Sequence, residues 1–149
     1  MESFDREKAR QVWERVTGSC DRGPDLDALT ALLCQELTDA AVLLRLSKRI
    51  GGRGGDLLRL ARQCRQHAGY LRGICTIVGQ GRPSVAVPLP ADTTASAALR
   101  KCYVNSINRL RHYEQLSSDP DYGPVFHAMT HTAKKQCATL LDLIGKVET

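Results

Sequence analysis

His127 and His131 lie four residues apart, so on a helix they share one face at the spacing that helical zinc sites use. The metalloprotease form of that pattern needs Glu directly after the first histidine, and Ala128 stands there instead. The pair therefore reads as two imidazoles facing solvent or a neighbouring helix. Cys64 has Arg62, Arg65 and His67 close by in sequence, and nearby positive charge lowers the pKa of a thiol and makes it reactive. No resolving CxxC accompanies it. The six cysteines, Cys20, Cys34, Cys64, Cys75, Cys102 and Cys137, are widely separated. A disulfide framework or zinc knuckle is disfavoured, and they read as reduced thiols packed as small hydrophobes. Tyr113, with Tyr103 and His112 on the same segment, reads as a core aromatic whose hydroxyl finds a buried partner.

Charge supplies a second candidate chemistry. Between Arg45 and Arg82 nine cations face one acid, Asp56, while the rest of the chain is slightly acidic and the total is +5. Arg59, Arg62, Arg65 and Arg72 fall near one edge of a helical segment and could bind an acidic partner. Nucleic acid is disfavoured, because stacking aromatics are few and no recognition motif is present. The glycine-rich stretch 51–55 lacks the Lys-Ser/Thr ending of a phosphate-binding loop and reads as a turn.

These residues must be held by helices. Apolar residues recur at three and four in residues 3–18, around Val12, Trp13 and Val16, which predicts a short N-terminal amphipathic helix. Longer helices are expected over about 26–50, 56–78, 95–117 and from near 124 to 145 or 147. Asp25 or Asp27 caps the first of these, and Leu29, Leu33, Leu37, Ala40 and Leu44 form its buried stripe. Leu57, Leu60, Ala61, Leu71, Ile74 and Ile77 form the stripe of the second. Residues 79–94 contain Pro83, Pro88 and Pro90, which remove donors and fix an extended path. With 149 residues and 42% apolar composition the chain suits one soluble domain. No apolar run suits a secretory leader or a spanning helix, so a cytoplasmic, membrane-free protein is expected. Two short connections around one long one give the connectivity of a bundle with a single crossover.

On that connectivity, RLARQCRQHAGYLRGI (residues 59–74) resembles the second bundle helix of rubrerythrin-type ferritin-like proteins, and YGPVFHAMTHTAKKQCATLLDLIG (residues 122–145) resembles their last helix. The resemblance implies an all-α ferritin-like four-helix bundle over residues 25–147, with the 79–94 crossover and the extra N-terminal helix in one domain. In that family each helix pair supplies one Glu from its first helix and a Glu-x-x-His from its second. The resemblance places Glu36 on the first helix, with Cys64 where the motif has Glu and His67 where it has His. The second half offers Asn105 or Ser106, then Ala133 and Gln136.

Only Glu36 and His67 keep the family's residue type, so no diiron centre, oxidase or peroxidase chemistry is expected. The resemblance thus implies a non-catalytic bundle with a degenerate diiron site, a scaffold or interaction protein compatible with a homodimer. The alternative is a mononuclear metal site, zinc or another transition metal, or a thiol-redox centre, built from Glu36, Cys64 and His67. A vacant centre needs Glu36 to be satisfied from within, with His67, Gln136 or Asn105 as partners.

Overall fold

The computed structural model describes residues 24–147 apart from 80, 82, 89 and 91. The expected helix at 3–18, with Trp13, and Cys20 lie outside the described residues. Among the described residues the fold is all-α, with four helices and no strand: α1 (Leu26–Arg49), α2 (Gly54–Gly79), α3 (Ala95–Leu116) and α4 (Gly123–Val147). Asp25 caps α1, accepting the Asp27 N–H at 3.0 Å. Thr94 does the same for α3, accepting from Ala97 N–H at 3.1 Å. Each cap pairs one of the first-turn donors that a helix leaves unsatisfied.

The α1–α2 turn is tighter than the run of glycines suggests. A 3-10 turn at Gly51–Arg53 leads straight into α2, so Gly54 and Gly55 belong to the helix rather than to the loop. Their helical cost is small at a first turn, where few intrahelical bonds depend on them. A Cβ on Gly54 would lie 2.9 Å from the Ser47 carbonyl oxygen, and only glycine allows that approach. At the α3–α4 turn Asp119 accepts from Asp121 N–H at 2.9 Å and Tyr122 N–H at 2.7 Å. Gly123 then passes so close to Ser117 that a Cβ would meet its carbonyl oxygen at 2.5 Å. Pro124 follows in the first turn of α4, where a missing N–H costs nothing.

The core is divided. Leu43 and Leu46 of α1, Leu57 and Leu60 of α2, Leu99 of α3 and Leu140 and Leu143 of α4 pack at one end. Leu29 and Leu33, Leu71 and Ile74, Tyr113, and Phe126 and Met129 pack at the other. Each fully buried leucine contributes about 1.5–3 kcal/mol. Between the two clusters every helix buries a polar residue: Glu36 and Asp39, His67, Ser106 and Arg109, and Gln136. The buried stripe of α1 runs through Leu32, Glu36, Asp39, Leu43 and Leu46, leaving Leu37 and Leu44 half-buried. Ile77, expected inside, is 67% exposed, because the half-buried Val78 turns toward the cluster in its place.

Membership of the two clusters fixes the directions. The C-terminal half of α1 meets the N-terminal halves of α2 and α3, so the chain between α2 and α3 must return along the length of the bundle. Its described residues are neither helix nor strand and climb along α1. Cys34 donates to the Ala86 carbonyl at 3.5 Å, Arg45 to the Pro90 carbonyl at 2.9 Å and to Asp92 at 2.6 Å, and Arg49 to the Thr93 carbonyl at 3.3 Å.

Candidate functional site: a charged layer inside the bundle

The helical phase that buries leucines at both ends carries charged side chains into the layer between them. From α1, Glu36 and Asp39 are 0% and 2% exposed; from α3, Arg109 is 2% exposed. Burying such groups singly would cost several kcal/mol, so the geometry must pair them. Arg109 lies between the two carboxylates, with Nε 3.0 Å from Glu36 Oε1 and Nη1 2.5 Å from Asp39 Oδ2. Its remaining donors reach Gln35 Oε1 at 3.2 Å and Ser106 Oγ at 3.1 Å. Asn105 donates to the other Asp39 oxygen at 3.0 Å, and the Cys102 thiol approaches the same oxygen at 3.8 Å.

Glu36 Oε2 is satisfied from the opposite side. The Tyr113 hydroxyl donates to it at 3.0 Å and His67 Nδ1 meets it at 2.8 Å. The two rings stand edge to face with centroids 5.9 Å apart, and Tyr113 also stacks on Phe126 at 6.3 Å. Glu36 Oε1 differs. Arg109 Nε lies within ion-pair distance, but the N–H is not aimed along the contact, so this buried oxygen accepts no hydrogen bond.

The electrostatics follow from this arrangement. Burial opposes the charged form of Arg109, yet Glu36 and then Asp39 outweigh it and raise its pKa above the ordinary value. Burial pushes the Asp39 carboxyl up, with Arg109 and Asn105 holding it partly down. Burial and then Glu36 push the Tyr113 hydroxyl up. The same two causes push the Cys64 thiol well up, so it stays protonated. Arg62 and Arg65, the cations beside Cys64 in sequence, are exposed to solvent.

Glu36, Cys64 and His67 all point inward, at 0%, 2% and 2% exposure, and Glu36 and His67 touch. Ser106, Ala133 and Gln136 are buried and Asn105 is half-buried. The expected amide partners go elsewhere: Asn105 serves Asp39, and Gln136 donates to Gln63 at 3.2 Å. Arg109 and Asp39, the centre of the layer, were not among the residues singled out from sequence. Their signal was available, because Leu99, Cys102, Ser106, Arg109 and Tyr113 share one helical phase, as do Leu32, Glu36, Asp39, Leu43 and Leu46. His127 and His131 are both exposed, as are Arg59, Arg62, Arg65 and Arg72.

Among the described residues no group of three or more His, Cys, Asp or Glu side chains is placed to share a metal ion. Cys34, Cys64, Cys75, Cys102 and Cys137 are free thiols. No described helix is long and apolar enough to cross a membrane. Comparison of the chain with family models, curated proteins and solved structures finds no match.

Proposed function

We propose that the chain is a non-catalytic ferritin-like bundle with a degenerate diiron site, acting as a scaffold or interaction protein. The observation that carries this reading is the Arg109 guanidinium, buried between Glu36 and Asp39 at mid-height. A dinuclear iron centre requires a cage of carboxylates and imidazoles facing one space. Here the facing positions are Cys64, Ser106, Ala133 and Gln136, and a fixed organic cation already neutralises the carboxylates that remain. This donor set does not fit two iron ions. The return segment along α1 agrees with a ferritin-like crossover.

One observation favours a second reading, a mononuclear metal held by Glu36, Cys64 and His67: the buried Glu36 Oε1 that accepts no hydrogen bond. The first reading is preferred because Arg109 already places positive charge 3.0 Å from that oxygen, and among the described residues no three such side chains are placed to share a metal ion. Elemental analysis of the purified chain, with thermal melts of wild type and Glu36→Gln with and without a chelator, separates the two. The expected result is no stoichiometric metal and melting temperatures that chelation leaves unchanged. A wild type that alone loses several degrees on chelation overturns the vacant-site reading.

A further inference from the structure

We infer that the cleft between α1, α3 and the segment preceding α3 binds an anionic amphiphile, in chemical class a medium-chain fatty carboxylate. The cleft encloses about 580 Å³, an ordinary size for a small-ligand pocket. On α1 its lining runs from Thr38 to Arg49, about 16 Å at helical rise, so the space is elongated. Val42 and Leu46 form one wall, Ala97 and Ala98 the other, and Pro88 and Pro90 the cover. It exists because α3 presents alanines where α1 presents larger apolar groups, leaving a gap along that seam.

The charge of the lining selects the head group. Arg45, Arg49 and Lys101 line the cleft against Asp39 and Asp92. Asp92 is engaged by Arg45 at 2.6 Å and Asp39 by Arg109 and Asn105. Arg49 is left with a neutral carbonyl partner, Thr93, at 3.3 Å, and Lys101 is exposed. No carboxylate of the described lining is left to neutralise either cation, so these two are the groups that would receive an anionic head. Val42 and Leu46 are the large apolar groups of the lining, so the tail lies along them. The site is separate from the metal question, since it requires neither Glu36 nor His67.

Calorimetric titration of the full chain with dodecanoate, and with dodecylammonium of the same length, tests this below their micelle concentrations. Saturable binding of one dodecanoate per chain is expected, with dodecylammonium at least tenfold weaker. Arg49→Gln/Lys101→Gln changes exposed residues only, and is expected to weaken dodecanoate at least tenfold. Ala97→Trp fills the cleft from an exposed position and is expected to abolish binding while circular dichroism stays that of wild type. Should that variant not fold, Val42→Trp fills the same space from α1. Absence of saturation, equal affinity for the two head groups, or binding that survives the filled cleft overturns the proposal.

Discussion

Replacing Arg109 by Met tests whether the guanidinium holds the charged layer together. Met matches the length of the stem and carries no charge, so the packing of α3 against α1 survives while Glu36 and Asp39 lose their shared cation. Removing one partner of a buried ion pair costs about 3–5 kcal/mol, because the remaining charge stays desolvated. For a chain of this size each kcal/mol lowers the melting temperature by about 2–4 °C, so the expected loss is on the order of 10 °C. The pH dependence adds a sign. Burial already raises the Asp39 carboxyl, and Arg109 is the largest influence opposing that rise. Without it the rise is larger, and the folded state binds a proton more tightly still than the unfolded state. Stability then falls as pH rises through the raised pKa and recovers as pH is lowered. Urea unfolding of wild type, Arg109→Met, Asp39→Asn and the double variant between pH 5 and 8 measures both effects. The double variant should regain at least 1 kcal/mol relative to the sum of the singles. A loss under about 1 kcal/mol for Arg109→Met, with the pH profile of wild type, would refute the reasoning.

Tyr113→Phe removes the hydroxyl that donates to Glu36 at 3.0 Å and should cost about 1.5–3 kcal/mol in urea unfolding, as expected for a bond to a charged acceptor. Gly123→Ala drives a Cβ to 2.5 Å from the Ser117 carbonyl and should lower the melting temperature by several degrees, whereas Gly73→Ala, with open space around it, should not lower it. Burial raises the Cys64 and Cys102 thiols above their ordinary 9.0. Unfolded thiols therefore ionise first, and the stability these groups contribute is full below pH 9 and falls above it by about 1.4 kcal/mol per pH unit for each. Cys64→Ala and Cys102→Ala should each flatten the alkaline limb of the melting profile by that amount.

The helices were legible to within two residues at most ends, because a cap at Asp25, the breakers between helices and the apolar periodicity agreed, although the Thr94 cap of α3 was not singled out. The inward placement of Glu36, Cys64 and His67 and the partnered hydroxyl of Tyr113 were legible too, since each lies on an apolar stripe. What stayed hidden was the identity of the partners. Arg109 sits in a polar stretch beside Arg111 and His112, where the default for a long cation is solvent. Its burial follows only when two helices are phased together, so that an α3 cation meets two α1 acids. That match is tertiary, and one helix at a time does not display it. The cleft beside α1 was hidden for a related reason: it depends on how far Ala97 and Ala98 stand from Val42 and Leu46.

The charged layer also makes the two hairpins unequal halves of one fold. The α1–α2 hairpin brings two carboxylates to a surface that must be covered, and the α3–α4 hairpin brings the guanidinium. Alone, each would expose an apolar face interrupted by a charge of one sign, so copies of the same hairpin would repel at the layer. The unlike pair attracts. Selectivity of this kind distinguishes partners by sign as well as by shape, as in obligate heterodimers. A chain cut within the segment between α2 and α3 should therefore yield fragments that reassemble with each other in preference to themselves. The link between the halves then supplies local concentration rather than recognition.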